Sequence, residues 1–257
     1  MVLIENLVYW LHFGPCRRAF RYLCLTSSIG SRRVVLGQMR GCRCGEYCEL
    51  AHRLGIYEIH VQRALLQALT PGAVFYDVGA NVGYFSLLGA RLVGEKGRVF
   101  AFEPSVDCSL RLEQFCADNR ICNIVAVTYA VSATVGEGFL ESASSHSQSH
   151  LAGSHGRVGR RARTTTLDAF VVENPPPDVV LMDIEGAEME ALSGAEALLR
   201  SPRGPVWIIE AHDREKVAAV EAKLASHGYT VTRLRPPLLR SSGYPLHLLA
   251  CKSGSPM

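Results

Sequence analysis

The feature that most constrains the fold is an alternation of short apolar runs with segments of helical periodicity. The helical segments place apolar residues on one face at intervals of three and four positions, and the runs between them are apolar on both faces. The runs lie at residues 74–78, 98–102, 124–129, 179–184 and 205–211. This pattern predicts an α/β fold in which a doubly wound, largely parallel sheet is covered by helices on both sides.

The end of the chain departs from this alternation. YTVTRLR at 229–235 and PLHLLAC at 245–251 both read as strands, and a proline-rich connection rather than a helix joins them. Strands joined without a helical crossover pair antiparallel, so we expect this pair at one end of the sheet.

The first 53 residues form a leader, which we predict to be a helix plus a strand (Arg33–Gln38) packed on the core. The apolar run of residues 1–25 is broken by polar residues, so it is too short to span a bilayer and does not read as an export signal. A cytoplasmic protein is therefore expected. Contact of residues 1–25 with a membrane surface is the less favoured alternative.

Nine cysteines in a chain of 257 residues, without an export signal, predict reduced thiols rather than a disulfide framework. Cys42, Cys44 and Cys48 crowd together, and His52 follows them. Zinc sites usually consist of two close pairs separated by a longer stretch, so a zinc site here is the less favoured interpretation.

Residues 138–163 are rich in serine, glycine and histidine, which predicts a long flexible loop with at most a short strand on each side. We favour a loop that covers a substrate over an insertion without a function. His146, His150 and His155 are the side chains of this loop that have catalytic chemistry.

The stretch FYDVGANVGY, residues 75–84, joins a strand to a glycine loop. Its spacing is not the G-x-G-x-x-G of dinucleotide sites, and it lacks the lysine of a P-loop. Asp77 would repel a phosphate and suits a cationic group, although capping of the next helix is an alternative role. Glu103 ends the next strand, where a carboxylate can accept hydrogen bonds from two ribose hydroxyls.

These two acids indicate a ligand with a ribose and positive charge but without phosphate, and S-adenosylmethionine meets that description better than NAD does. Asp183 ends a further buried strand and is expected at the same edge of the sheet. Glu188 and Glu190 lie at the start of a single helix predicted at residues 187–199, where acids commonly complement the helix dipole. A formal charge of +3 gives no reason to expect a nucleic-acid partner.

The motifs DVGANVG, AFEP and MDIEGAE, taken in this order, resemble the FkbM-type S-adenosylmethionine-dependent methyltransferases over roughly residues 54–212. The resemblance implies a Rossmann-like class I methyltransferase domain at 54–257, with a seven-stranded sheet that has one antiparallel strand near its edge. It also implies transfer of a methyl group to a hydroxyl of a sugar or another small molecule. The cofactor-binding residues that it implies are Asp77, Gly79, Asn81, Gly83, Glu103, Ala130 and Asp183.

A hydroxyl is a weak nucleophile at neutral pH, so we expect a catalytic base, and the candidates are Asp183, Glu185, Glu210 and His212. A divalent metal held by Asp183, Glu210 and His212 is an alternative that we do not favour, so no metal site is predicted. A protein or nitrogen methyltransferase and a non-catalytic S-adenosylmethionine-binding regulator remain as alternatives. The acceptor's identity and the oligomeric state stay open.

Overall fold

The computed structural model describes residues 32–142, 149–152, 159–212, 214–234 and 246–254. The predicted helix before residue 32, His146, His155 and the proline-rich connection near the end lie outside these residues. Among the described helices, none has both the length and the apolar content that a membrane span requires.

The described residues form eight helices and eleven strands. The helices are α1 (Leu50–Leu54), α2 (Ile59–Ala68), α3 (Tyr84–Val93), α4 (Val106–Asn119), α5 (Leu167–Phe170), α6 (Glu188–Ser193), α7 (Glu196–Arg200) and α8 (Arg214–Ser226). The strands are β1 (Val74–Val78), β2 (Arg98–Phe102), β3 (Ile124–Val127), β4 (Ala130–Val131), β5 (Gly136–Ser142), β6 (Ser149–Ala152), β7 (Gly159–Thr165), β8 (Val179–Met182), β9 (Val206–Ala211), β10 (Thr230–Leu234) and β11 (Leu246–Cys251).

Seven strands form the main sheet in the order β3-β2-β1-β8-β9-β11-β10. All neighbouring pairs are parallel except the two made by β11, which is antiparallel to both β9 and β10. The predicted doubly wound sheet, with an antiparallel strand near one edge, is therefore confirmed. The strand order reverses direction between β1 and β8, which is where ligands bind in sheets of this kind.

Each face of the main sheet has its own hydrophobic core, because successive side chains of a buried strand point to opposite faces. Phe75 of β1 packs in a cluster with Leu65 and Leu87, whereas Tyr76 packs in a second cluster with Trp207 and Leu192. Burial on both faces explains why β1, β2, β8 and β9 are continuous apolar runs in the sequence.

Within residues 138–163 the structure describes more strand than the predicted loop with a short strand on each side, because β6 lies between β5 and β7. Strands β4, β7, β5 and β6 form a second sheet in that order, with β5 antiparallel to both β7 and β6. Leu140 and Ala162 are buried on its inner face. Apolar and polar residues do not alternate regularly in this serine- and arginine-rich stretch. The sequence therefore shows no clear signal of a strand, and its composition is that of a loop.

The leader also differs from its prediction. The proposed strand at Arg33–Gln38 is absent, because the chain turns through Gly37 (φ 71°) and Gly41 (φ 86°), and Arg33 makes only an isolated bridge to Arg43. Val34, Met39 and Cys42 are nevertheless buried in the core cluster that α2 and α3 also form. Residues 32–53 thus contribute to the hydrophobic core.

The expectation of reduced thiols is wrong for one pair, since Cys44 and Cys48 form a disulfide across a separation of four residues. Cys42 is free and buried, and Arg91 donates a hydrogen bond to its sulfur at 3.1 Å. No cysteine of the described chain belongs to a group of side chains placed to hold a metal ion.

The single helix expected at 187–199 is two helices, α6 and α7. The helix is interrupted at Gly194, where a Cβ atom would lie 2.2 Å from the carbonyl oxygen of Ser132. This close approach is a tertiary contact that the sequence periodicity does not reveal.

Candidate active site

A cavity of about 780 Å³ opens at the carboxyl ends of β1, β2 and β8. The chain that follows each of these strands contributes to its lining. Six of the seven predicted cofactor-binding residues line it: Asp77, Gly79, Asn81, Glu103, Ala130 and Asp183. The seventh, Gly83, packs beneath it against Leu112, where a Cβ atom would lie 1.9 Å from the leucine Cδ1 atom. The volume falls within the range typical of small-molecule sites.

The glycine loop after β1 is held closely between its two neighbouring strands. The backbone N–H groups of Gly79 and Ala80 both donate to the carbonyl of Phe102, at 2.9 and 3.0 Å. Gly79 has a φ of 89°, and a Cβ atom there would lie 1.8 Å from the carbonyl oxygen of Asp183. Glycine is therefore required at position 79 both for its conformation and for the contact with the chain after β8.

Asp77 is buried at the end of β1, and its carboxylate accepts a hydrogen bond from the Ser86 hydroxyl of α3. Burial raises the pKa of Asp77 to about 7, although the hydrogen bonds from Ser86 oppose the shift and the charge of Glu103 adds to it. The side chain thus ties β1 to the first turn of α3 and also contributes to the cavity lining, although the N-cap residue of α3 is Gly83.

Glu103 is 9% exposed and is fixed by its neighbours. Its two carboxylate oxygens accept hydrogen bonds from the backbone N–H groups of Asn81 and Ser105, with N–O distances of 2.9 and 2.8 Å. Burial raises the pKa of this carboxyl, and the two hydrogen bonds act in the opposite direction. Each oxygen keeps a further lone pair, so the carboxylate can accept hydrogen bonds from a pair of hydroxyls in the cavity.

His212, directly after β9, lies in a ring of carboxylates. Its Nε2 atom is 3.3 Å from Glu185 and 3.6 Å from both Asp183 and Glu210. Its Nδ1 atom is 3.4 Å from Glu188, which is fully buried. Burial lowers the pKa of His212, but the surrounding carboxylates outweigh it and the net shift is upward. The imidazole therefore favours its charged form, which balances part of the negative charge.

Asp183 lies between this ring and the cavity. Its side chain is 35% exposed, while its Oδ1 atom is buried and makes no hydrogen bond within the described part of the chain. Burial, followed by the negative charges of Glu210 and Glu58, raises the pKa of Asp183 well above its usual range. A carboxyl group with a raised pKa is a stronger base once it is ionised.

A second group of titratable side chains lies behind Glu210. The Nε2 atom of His247 is 3.4 Å from Glu210 and 3.3 Å from Glu58, and its Nδ1 atom is 2.9 Å from the Nε2 atom of His60. Burial opposes the charged form of His247, but the two carboxylates raise its pKa to about 9. Burial opposes the negative charge of Glu210 too, yet its contacts with His247 and His212 lower its pKa.

Sequence reasoning missed Glu58, His60, Glu188 and His247 as site residues. His60 and His247 are separated by 187 positions, and only the folded sheet brings them together. The one signal available was His247 itself, a titratable residue within an otherwise apolar strand.

Two groups of described side chains have ligand atoms close enough to share a metal ion, within 4.8 Å of one another. One is Asp183, Glu185 and His212, and the other is Glu58, Glu210 and His247. In both groups the histidine already lies at ion-pair distance from the carboxylates. Charged imidazoles can therefore balance these acids without a metal ion.

The sheet order, the glycine loop at the switch point and the acid at the end of β2 define a class I methyltransferase fold. Solved structures agree: a precorrin-6Y C5,15-methyltransferase from Geobacter metallireducens aligns with a TM-score of 0.50 and 16% identity, covering 76% of this chain and 88% of that one. An rRNA methylase from Clostridium thermocellum, described there as putative, aligns with a TM-score of 0.51 and 13% identity, covering 74% and 92%. At this identity the likeness shows the fold alone.

Residues 77–231 match the model of the methyltransferase FkbM domain. The hexuronic acid methyltransferase AglP of Haloferax volcanii is 32% identical over 177 residues, which cover 66% of this chain and 70% of that protein. The chain belongs to the FkbM methyltransferase family. Its function as a methyltransferase follows from that membership.

Proposed function

We propose that the protein transfers a methyl group from S-adenosylmethionine to a hydroxyl of a sugar or a related small molecule. The observation that carries this proposal is that the glycine loop, Glu103 and Asp183 all line one cavity. The similarity to a hexuronic acid methyltransferase supports a sugar as the acceptor.

The donor half of the cavity has groups that fit the methyl donor. Glu103, fixed by two backbone N–H groups, would accept hydrogen bonds from the ribose hydroxyls, and Ala130 would pack against the adenine. Asp77, Gly79, Asn81 and Gly83 shape the loop beside the amino-acid part, and Asp183 adds negative charge near the cationic centre. S-adenosylmethionine supplies an activated methyl group when it is bound, and the protein places the acceptor in line with it.

Asp183 is the group that we assign as the base. Asp183 would accept the proton of the acceptor hydroxyl, and bound S-adenosylmethionine would supply the methyl group to the hydroxyl oxygen and leave as S-adenosylhomocysteine. Burial and then the negative charge of Glu210 raise the pKa of Asp183, while the carboxylates around His212 raise the pKa of its imidazole against the effect of burial. Of the candidates for the base, only Asp183 is thus assigned that role. Glu210 and His212 act on the charge of the site instead.

Binding of S-adenosylhomocysteine, the product of the donor, tests the proposal that S-adenosylmethionine is the methyl donor. We expect S-adenosylhomocysteine to raise the melting temperature of the full chain, because a ligand that binds only the folded state stabilises it. NAD serves as the control, since it contains ribose and adenine but also phosphates. Stabilisation by NAD without stabilisation by S-adenosylhomocysteine would contradict the assignment.

A methyl-transfer assay with methyl glucuronide and methyl glucoside tests the second half, with mass spectrometry of the products. A sugar acid has hydroxyls and a carboxylate, and the proposal expects an ether, which survives mild alkali, rather than an ester, which does not. Methylation of a peptide or an amine instead would favour the protein or nitrogen methyltransferase. Binding without turnover of any acceptor would favour a regulator.

A metal-dependent reaction is the competing way to activate the hydroxyl. We expect full activity after dialysis against a chelator, because His212 and His247 balance the charge of the acids. Loss of activity that Mg²⁺ or Mn²⁺ restores would support the metal instead.

A cytoplasmic location and the absence of a nucleic-acid partner stay predictions.

A further inference from the structure

One wall of the cavity comes from the part of the chain that precedes the FkbM match. The match begins at residue 77, whereas Tyr47, Glu49, His52 and Tyr57 also line the cavity. These residues belong to α1 and the segments on either side of it. The structure of this wall therefore depends on sequence that the family match does not cover.

The wall has an aromatic surface built around His52. Its ring stacks on Tyr57 at a centroid distance of 3.9 Å and an interplanar angle of 24°. Tyr84, at the start of α3, meets both rings edge-on, at 4.8 Å from His52 and 5.6 Å from Tyr57. Burial lowers the pKa of His52 to about 4, so its imidazole is neutral at physiological pH and acts as part of an apolar surface.

Tyr57 connects this aromatic wall to the acids of the site. It directly precedes Glu58, whose carboxylate contacts His247 at 3.3 Å. Burial, together with the negative charges of Glu58 and Asp183, raises the pKa of the Tyr57 phenol, so the phenol keeps its proton. The charges of both Glu58 and Asp183 thus act on this phenol, which places Tyr57 at the acidic end of the wall.

The residues proposed for the ribose and the adenine lie on the β2 side of the glycine loop. Glu103 and Asn81 are joined by a hydrogen bond at the end of β2, and Ala130 belongs to β4, which follows the outermost strand β3. Asp183 follows β8, on the opposite side of β1, and Tyr57 contacts Tyr84 and Phe85 at the start of α3. Once the donor occupies the first side, the space between the aromatic wall and Asp183 is left for the acceptor.

We propose that His52 and Tyr57 form the acceptor-binding wall and pack against the apolar face of a saturated sugar ring, directing one of its hydroxyls toward Asp183. This inference rests on the proposed function. Aromatic faces bind the C–H surface of a ring without requiring charge. Glu185 and Tyr57 both line the cavity, and their carboxylate and phenol are groups that can form hydrogen bonds with ring hydroxyls.

The test compares acceptor and donor binding in variants of the full chain. For Tyr57→Leu we expect the KM for methyl glucuronide to rise about tenfold, because an aromatic contact is worth roughly that factor. The Kd of S-adenosylhomocysteine should stay within about twofold. Tyr57→Phe, which keeps the ring, should restore most of the acceptor affinity. His52→Leu should raise the same KM, whereas the matched control His227→Leu, which replaces a histidine outside the cavity, should not.

The outcomes separate this inference from the proposed function. If the wild-type protein methylates a sugar and Tyr57→Leu leaves its KM unchanged, the acceptor wall is wrong and the proposed function stands. Equal losses of donor and acceptor affinity would assign Tyr57 to the donor side and also overturn the wall. If the wild-type protein binds S-adenosylhomocysteine but methylates only catechol or no acceptor, both the sugar acceptor and the wall are wrong.

Discussion

At the scale of single residues, the carboxylates of this site differ in role because their surroundings differ. Glu103 is held by two backbone N–H groups, whereas Asp183 has a buried oxygen that makes no hydrogen bond with the described residues. Burial raises the pKa of both carboxyls, but the two N–H groups oppose the shift at Glu103, while the charges of Glu210 and Glu58 add to it at Asp183. The first environment suits a fixed acceptor of hydrogen bonds, and the second suits a group that gains and loses a proton.

Glu103→Gln should weaken binding of S-adenosylhomocysteine by about tenfold or more, because a charge-assisted hydrogen bond to a ribose hydroxyl becomes a neutral one. Isothermal titration calorimetry measures this change. Glu113→Gln, the same substitution at an exposed acid of α4 outside the cavity, is the control. An unchanged Kd for Glu103→Gln would remove Glu103 from the ribose site.

Asp183→Asn should reduce kcat by about 10²-fold or more, because the amide cannot accept the proton of the acceptor. The Kd of S-adenosylhomocysteine should change far less. In the wild-type protein the rate should rise with pH as Asp183 ionises, with a midpoint above its ordinary pKa of 3.8, because the ionised form is the base. If the acceptor proves to be a carboxylate, which needs no base, the variant should keep its rate and this role would be wrong.

At the scale of elements, the glycine loop and the chain after β8 form one unit. Gly79→Ala places a Cβ atom 1.8 Å from the carbonyl oxygen of Asp183, in addition to the unfavourable positive φ. We expect a loss of stability of more than about 2 kcal/mol and impaired donor binding.

Gly72→Ala provides the matched control for that substitution. Gly72 has a φ of 90°, close to the 89° of Gly79, but a Cβ atom there meets nothing within 4 Å. Its cost should be only the backbone strain of about 1–2 kcal/mol. Urea denaturation of both variants measures the difference, and equal values would show that the contact with Asp183 costs nothing.

Elements that are buried on both faces were predictable, and those that depend on distant contacts were not. Each of the strands β1, β2, β8 and β9 lies between two hydrophobic cores, so each is an apolar run that the sequence shows. The ends of these runs also predicted where Asp77, Glu103 and Asp183 lie in the sheet. The break at Gly194 depends on the carbonyl of Ser132, and β5 and β7 have too many polar residues to show their pairing. The group around His247 needs contacts between α2, β9 and β11, which no local pattern encodes.

At the scale of the whole molecule, the buried His247 should make the stability depend on pH. Its pKa is about 9 in the folded protein and 6.5 ordinarily, so its contribution is complete below pH 6.5 and is lost as the pH rises through 9. Glu58, Glu210 and His60 are the titratable groups that face it. The full difference corresponds to about 3 kcal/mol.

Urea denaturation between pH 7 and pH 10 measures this effect against His247→Gln. The stability advantage of the wild-type protein over the variant should shrink as the pH rises. His52 and His60 have pKa values of about 4, so they do not titrate in this window. A constant difference between the two proteins over this range would show that His247 is not a buried imidazolium.

The two hydrogen bonds that Gly79 and Ala80 donate to Phe102 determine which ligands the glycine loop rejects. The N–H of Asn81 also donates a hydrogen bond, to Glu103. These three hydrogen bonds leave few backbone N–H groups of the loop for an incoming anion. Loops that cradle phosphate do the opposite and direct several unpaired N–H groups at the ligand. The phosphates of a dinucleotide or a nucleoside triphosphate would therefore find few backbone N–H groups in this loop to replace their hydration. Discrimination among the adenine-containing cofactors of a cell thus resides in the backbone of this loop as much as in its acidic side chains.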